Sequence, residues 1–139
     1  MPAEFFLDTN VLVYTFDRRD SEKRASALAL VERALETGDG VVSYQVVQEF
    51  LNVALHKFER PLTTAEAVGY LREVLDPLCT VSSSVALYEH AISLQRRWRF
   101  GFYDSLIVAA ALEAGCKTLY SEDLQHGQEV ESLEIVSPF

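Results

Sequence analysis

Four carboxylates, well separated along the chain, are the side chains best suited to carry out chemistry. They are Asp8, Glu49, Asp104 and Asp123, here called the acidic cluster. Carboxylate oxygens are ligands that suit Mg²⁺ or Mn²⁺. Without a cation, two carboxylates about 4 Å apart repel each other by about 4 kcal/mol at an effective dielectric of 20. If the fold brings them together, the acidic cluster predicts a divalent metal site able to promote phosphodiester hydrolysis.

Each of these acids also has an ordinary structural interpretation. Asp8 and Asp104 could cap the helices that follow them. Glu49 could be a solvated residue at the edge of an apolar helix face. Asp123 could be a turn aspartate in the segment SEDLQHG. Spacing alone leaves both interpretations open for every member, so the surrounding elements must be considered.

Short apolar runs alternate with amphipathic segments along the chain. Strands are predicted at residues 4–7, 41–42, 78–81, 117–120 and 133–136, and helices at residues 11–16, 21–36, 44–58, 64–75, 84–98 and 102–114. This alternation predicts an α/β fold, a three-layer sandwich with a mainly parallel central sheet flanked by helices. Chemistry in such sheets gathers at the carboxyl ends of the strands, where the predicted elements place the acidic cluster.

Composition limits the remaining possibilities. The 139 residues are 49% hydrophobic and 24% charged, with no repeat or linker, which predicts a single domain over residues 1–139. No secretory pattern and no apolar run of about 18 residues is present, so a cytoplasmic protein is expected. The net charge of −9 argues against holding nucleic acid mainly by a basic surface.

Cysteine and histidine offer no alternative metal site. Cys79 and Cys116 are far apart in the sequence and are expected to be small buried hydrophobes. His56, His90 and His126 lack ligand spacing and are expected to be surface or packing residues. Any bound metal should therefore have oxygen ligands.

The densest group of basic side chains surrounds a tryptophan. Arg96, Arg97 and Arg99, with Trp98 among them, form what we call the arginine patch. It could contact RNA by pairing charges with the backbone and stacking on bases. It could equally be a solvated helix end whose arginines favour the helix dipole while Trp98 packs inward.

Four segments together resemble the PIN-domain family, and most closely the VapC-type toxins of bacterial toxin–antitoxin pairs. They are FFLDTNVLVY (5–14), SYQVVQEFLNV (43–53), FYDSLIVAAALEAGCKTLYSEDLQHG (102–127) and LEIVSPF (133–139). They follow the family's order over nearly the whole chain. The resemblance implies a PIN fold and a Mg²⁺- or Mn²⁺-dependent endoribonuclease. It also implies a homodimer and a small antitoxin partner that blocks the acids.

By position, the resemblance assigns the metal-binding acids of the family to the acidic cluster. Asp8, Glu49 and Asp104 match the first three acids, and Asp123 matches the fourth, outer one. Ser121 matches a small hydroxyl residue that helps to orient the site, and Thr9 and Asn10 are expected to support it. Glu122 stands beside Asp123, which leaves open which of the two faces the metal, and Asp123 is favoured.

Two other functions are compatible with part of this pattern. Haloacid-dehalogenase-like phosphatases use an aspartate after the first strand as a nucleophile, which would be Asp8. They carry a second aspartate two residues later, where this chain has Asn10. The other alternative is a non-catalytic PIN-like module that only binds an antitoxin or nucleic acid.

Overall fold

A six-stranded sheet forms the centre of the computed structural model, which describes residues 3–139. The strands are β1 (Phe5–Leu7), β2 (Gly40–Ser43), β3 (Cys79–Val81), β4 (Thr118–Tyr120), β5 (Glu129–Val130) and β6 (Leu133–Val136). Their order across the sheet is β3-β2-β1-β4-β6-β5. All neighbours pair in parallel except β5 and β6, which form an antiparallel hairpin.

Helices connect the parallel strands and flank the sheet. They are α1 (Thr9–Tyr14), α2 (Ser21–Thr37), α3 (Tyr44–His56), α4 (Thr64–Tyr70), α5 (Asp76–Leu78), α6 (Val85–Trp98) and α7 (Phe102–Glu113), with a π-helical turn at Leu71–Leu75 joining α4 to α5. The predicted α/β fold with a mainly parallel central sheet is confirmed. None of the helices in residues 3–139 has the length and apolar character that crossing a membrane requires.

The central strands are apolar because both faces of the sheet are covered. Phe6 and Leu7 of β1 and Val42 of β2 are completely buried, as expected for strands packed between helices. Close packing at the start of β2 requires a glycine. A Cβ atom on Gly40 would lie 2.4 Å from Cε2 of Phe5, so any side chain there would displace the ring.

The topology brings three loops to one edge of the sheet. β1 lies between β2 and β4, and all three strands run in the same direction. Asp8 follows β1 and its backbone N–H donates to the carbonyl of Tyr120 at the end of β4 (3.0 Å). The helix carrying Glu49 begins directly after β2, so the carboxyl ends of these strands form a common rim.

Several predicted boundaries differ from the observed ones. The first helix begins at Thr9 rather than residue 11, because Asp8 acts as its N-cap. The helix predicted to end near residue 75 continues through the π-helical turn to Leu78. Pro77 is tolerated because it occupies the first turn of α5, where its missing N–H is not needed. The two-residue strand β5 was not predicted.

The expectations for cysteine and histidine are largely confirmed. Both cysteines are free; Cys116 is buried and Cys79 is half-buried. His56 and His126 are exposed, and His90 is half-buried, with Nε2 lying 3.1 Å from Oε2 of Glu131.

Candidate active site

Asp8 lies at the centre of the rim and is only 6% exposed. Its Oδ1 atom accepts from the backbone N–H of Thr9, and its Oδ2 atom accepts from the hydroxyl of Ser121, both at 2.7 Å. Asp8 therefore caps α1, as the structural interpretation predicted. A capping carboxylate usually accepts from the second or third residue of its helix, whereas Asp8 accepts from the first and turns its other oxygen towards β4.

The environment of Asp8 disfavours its charge. The pKa of Asp8 is raised from 3.8 to about 6, mainly by burial and to a smaller extent by the negative charges of Glu49 and Asp123, while the hydrogen bonds from Ser121 and Thr9 oppose the shift. A positive charge nearby would stabilise the ionised form of such a buried carboxylate.

Glu49 projects from the second turn of α3 towards Asp8. Its Oε1 atom accepts from the Thr9 hydroxyl at 2.6 Å, and its Oε2 atom lies 3.4 Å from Nε2 of Gln45. The same Gln45 nitrogen donates to the carbonyl of Tyr103 at 3.1 Å. Glu49 is half-buried and is held from two sides, so the interpretation of it as a freely solvated helix residue is wrong.

Asp104 occupies the first turn of α7. Gly101 is the N-cap of this helix and no side chain caps it, so the interpretation of Asp104 as the cap is wrong. Partial burial raises the pKa of Asp104, and the charges of Asp123 and Glu49 raise it further. Asp104 therefore lies close enough to Asp123, which follows β4, and to Glu49, on α3, for their charges to affect its ionisation.

Asp123 and Glu122 face different surroundings. The Asp123 backbone N–H donates to the Ser121 hydroxyl at 3.2 Å, and its Oδ2 atom accepts from the Asn10 amide at 3.2 Å. Glu122 instead forms a salt bridge with Lys23, which we call the Lys23–Glu122 pair. Asp123 is therefore the member of this doublet that faces the acidic cluster.

Asn10 connects the loops after β1 and β4. Its side-chain nitrogen lies 3.4 Å from Oδ2 of Asp8 and 3.4 Å from the Ser121 hydroxyl, in addition to the Asp123 contact. Its oxygen accepts from the Glu122 backbone N–H at 3.1 Å. A phosphatase of the haloacid-dehalogenase type would need an acid at this position, and the amide here is instead committed to holding the two loops together.

No cation within residues 3–139 forms a salt bridge with a member of the acidic cluster. The salt bridges within residues 3–139 join Arg19 to Asp17 and Lys23 to Glu122, and the His90 ring lies against Glu131. None of them includes a member of the acidic cluster. The fold therefore concentrates negative charge at this rim without compensating it.

The donor set suits a hard divalent cation. Every side chain of the acidic cluster offers oxygen, the ligand that Mg²⁺ and Mn²⁺ prefer. No three histidine, cysteine, aspartate or glutamate residues in the described chain form a ready-made metal cage. Mg²⁺ does not require one, because it commonly binds through one or two carboxylates, keeps several waters and shares substrate phosphates.

The arginine patch lies where α6 ends, shortly before α7. All three arginines are exposed, and Arg99 ends α6 in a left-handed conformation (φ 63°). The guanidinium of Arg97 lies 5.3 Å from the centre of the Trp98 ring, and Trp98 is half-buried. These contacts favour the helix-end interpretation for Trp98 and leave Arg96 and Arg99 available to solvent.

Gln45 and Lys23 were not identified from the sequence. Gln45 precedes Glu49 by four residues and so shares its helix face, a spacing that could have revealed it. Lys23 gave no such signal, because a lysine in the first turns of α2 is ordinarily a solvated residue.

Comparisons with known proteins identify the family and the fold. The model of the PIN domain family matches residues 5–128, and no curated protein matches. A toxin–antitoxin complex from Klebsiella pneumoniae is 19% identical with a TM-score of 0.67, covering 99% of this chain and 98% of its own. VapBC2 from Rickettsia felis, bound to promoter DNA, is 17% identical with a TM-score of 0.66, covering 96% and 97%.

A third structure is the VapC20 toxin from Mycobacterium tuberculosis, described as cleaving the sarcin-ricin loop. It is 17% identical with a TM-score of 0.62, covering 86% of this chain and 90% of its own. These structures share the fold of the chain over 86–99% of its length. Because the family model spans most of the sequence, the chain belongs to the PIN domain family.

Proposed function

We propose that this protein is a metal-dependent endoribonuclease and the toxin of a toxin–antitoxin pair. The observation that carries the proposal is the acidic cluster, in which the charges of Glu49 and Asp123 act on both Asp8 and Asp104. No cation in the described part of the chain forms a salt bridge with these acids. Membership of the PIN domain family supports a nuclease. The RNA-cleaving VapC20 toxin has the same fold, which favours RNA as the substrate.

Asp8 and Asp104 would hold Mg²⁺ or Mn²⁺, with Glu49 and Asp123 as further ligands. When bound, such an ion lowers the pKa of water and neutralises charge that develops on the phosphodiester. The protein's own contribution is orientation. Ser121 and Thr9 fix the Asp8 carboxylate through two hydrogen bonds, and this leaves its position on the rim well defined.

Glu49 or Asp123 would accept or relay the proton released when water attacks the phosphodiester. A proton acceptor must lie within hydrogen-bond reach and must be held in a fixed orientation. Glu49 satisfies the second condition best, because Thr9 and Gln45 each engage one of its oxygens. Asp123 is more exposed than Glu49.

The test is cleavage of structured RNAs by the purified protein, free of any antitoxin, with Mg²⁺ or Mn²⁺. We expect cuts that disappear with a chelator and return when metal is restored. Sequencing the 5′ ends of RNAs after brief expression would identify the target. No cleavage, or cleavage that survives both chelation and Asp8→Ala, would contradict the proposal.

The partner we propose is a small antitoxin encoded beside this gene, and the compartment is the cytoplasm. Similar structures include toxins solved with their antitoxins, such as the Klebsiella pneumoniae complex. Affinity purification of the protein expressed from its own operon should recover a stoichiometric small protein that suppresses cleavage. Recovery of the protein alone, with full activity, would count against this partner.

A homodimer is proposed through the exposed apolar face of α6. Val85 is 72% exposed, Ile92 is 58% exposed and Tyr88 lies between them on the same face. Monomeric proteins rarely expose a contiguous apolar patch of this kind to water. Ile92→Asp should convert a dimer to a monomer in sedimentation analysis, whereas Leu35→Asp on α2 should not. A monomeric wild-type protein would exclude this assembly.

A further inference from the structure

Gln45 is a buried polar side chain with an unusual set of neighbours. It is 5% exposed and lies one helical turn before Glu49 on α3. Its Nε2 atom lies 3.4 Å from Oε2 of Glu49 and 3.1 Å from the carbonyl oxygen of Tyr103. Both neighbours can only accept hydrogen bonds, so the amide must keep its nitrogen towards them.

This orientation leaves the other end of the amide unsatisfied. The Oε1 atom of Gln45 is buried and has no hydrogen-bond partner within the described part of the chain. Buried polar atoms are nearly always paired, and an exception calls for an explanation. A leucine of similar volume would fill the same space without this cost, so stability alone does not account for a glutamine here.

The contacts of Gln45 join the elements that carry two of the acids. Tyr103 directly precedes Asp104 in the first turn of α7. Within residues 3–139, no other side-chain hydrogen bond joins α3 to α7. Gln45 therefore links the helix that carries Glu49 to the backbone beside Asp104.

Gln45 also completes the orientation of the Glu49 carboxylate. Thr9 donates to one oxygen of Glu49, and Gln45 faces the other. With a donor on each oxygen, the carboxylate is restrained from α1 by Thr9 and from within α3 by Gln45. Without Gln45, a single hydrogen bond would remain and the carboxylate could rotate about it.

We propose that Gln45 is a positioning residue that orients Glu49 and sets its spacing from Asp104, and thereby determines how tightly this pair of acids binds a divalent metal. The inference rests on the proposed metal-dependent function. Groups that orient metal ligands typically change metal affinity by about 10–100-fold when they are removed. The effect should appear in metal affinity even when no RNA is present.

The experiment is titration of the purified protein with Mn²⁺ alone, following free Mn²⁺ by electron paramagnetic resonance. Gln45→Leu should weaken Mn²⁺ binding by about tenfold or more, with thermal stability unchanged or increased. Gln45→Met is a second variant of similar length in case leucine disturbs packing. Gln48→Leu is the matched control, because Gln48 is an exposed glutamine on the same helix, and it should bind as the wild type does.

A double-mutant cycle separates positioning from a general structural effect. If Gln45 acts through Glu49, then Gln45→Leu should cost little further Mn²⁺ affinity in a Glu49→Gln background. Equal losses in both backgrounds would overturn the inference, as would wild-type affinity in Gln45→Leu and Gln45→Met. If the wild type binds Mn²⁺ and cleaves RNA while these variants bind normally, only this inference fails. If the wild type does neither, the proposed function fails with it.

Discussion

The Lys23–Glu122 pair and the acidic cluster meet at the loop after β4, and their carboxylates have opposite electrostatic surroundings. Glu122 is paired with Lys23, and this pairing, with a smaller contribution from the nearby Tyr14 hydroxyl, lowers the pKa of Glu122. The acidic cluster begins one residue later at Asp123, and there the pKa values of Asp8 and Asp104 are raised. A lysine is thus within reach of this rim but neutralises only the acid outside the acidic cluster.

The contrast shows that a basic side chain, Lys23, is available close to the acidic cluster. A lack of nearby basic residues therefore does not explain why the acidic cluster is unpaired within the described chain. Lys23 donates hydrogen bonds to Glu122 and to the hydroxyl oxygen of Tyr14, and these contacts raise the pKa of Lys23 to about 12, so it is fully charged at neutral pH. Its Nζ atom also lies 4.9 Å from the centre of the Tyr14 ring, a favourable cation–π arrangement. The Lys23–Glu122 pair holds the loop, whereas no salt bridge within residues 3–139 reaches the acidic cluster.

The largest expected effect is loss of RNA cleavage when the acidic cluster is altered. Asp8→Asn and Asp104→Asn should each reduce the single-turnover rate on the order of 10²–10³-fold, because each would remove a charged ligand of the proposed metal ion. Glu122→Gln changes a neighbouring acid in the same way and should reduce it no more than about twofold. Similar losses of cleavage rate in all three variants would show that the acidic cluster and the Lys23–Glu122 pair do not differ in function.

The next effect concerns Ser121, which lies between the two regions. Its hydroxyl donates to Asp8 and accepts from the Asp123 backbone N–H. Ser121→Ala should reduce cleavage or metal affinity by about 10–100-fold, as expected for a group that orients a ligand. The exposed Ser132 provides the control, and Ser132→Ala should behave as the wild type. Wild-type rates in Ser121→Ala would show that Asp8 needs no orientation.

The core of the fold was predictable because its signals are local. β1 and β2 are short apolar runs, and this pattern is typical of strands that are buried on both faces. Gly38 ends α2 in a left-handed conformation (φ 73°), which glycine adopts easily. β5 has only two residues, one of them exposed, so it exists through pairing with β6 rather than through its own pattern. No local rule could have revealed it.

The site was predictable only in part, for a similar reason. Residue type and position after a strand predicted which acids would meet, because parallel topology brings those strand ends together. The choice between Asp123 and Glu122 depended on Lys23, which is distant in sequence and belongs to an ordinary solvated helix. Tertiary placement of that single cation decided which acid is neutralised.

A smaller effect should appear in the stability of the metal-free protein. The pKa of Asp8 is about 6 when folded and near 3.8 when unfolded. The folded state therefore binds more protons between these values, and stability falls as the pH rises from about 4 to about 6. The full loss, roughly 3 kcal/mol for a shift of this size, persists at higher pH.

Asp8→Asn removes this ionisation and should stabilise the metal-free protein. The gain over the wild type, measured by urea denaturation in a chelator, should be small at pH 4 and largest above pH 7. Saturating Mg²⁺ should stabilise the wild type but not the variant. A gain independent of pH would mean that the charge of Asp8 is not what destabilises the rim.

The smallest expected effect is on the arginine patch. Arg96→Ala and Arg99→Ala should raise the KM for RNA by a few-fold at low salt, with kcat unchanged, if these exposed side chains contact the phosphate backbone. The effect should shrink as salt is increased. Exposed Arg72 lies on the distant π-helical turn, and Arg72→Ala serves as the control. Equal KM values for all variants would assign the patch to a solvated helix end.

The most direct test of the central claim is the position of Mn²⁺ in a crystal of the protein. An anomalous difference map from crystals grown with Mn²⁺ should show a peak among the carboxylates of the acidic cluster, and no peak beside Glu122. The peak should be lost in Asp8→Asn. Strong Mn²⁺ density elsewhere with none at the acidic cluster, under conditions in which the protein cleaves RNA, would contradict the account.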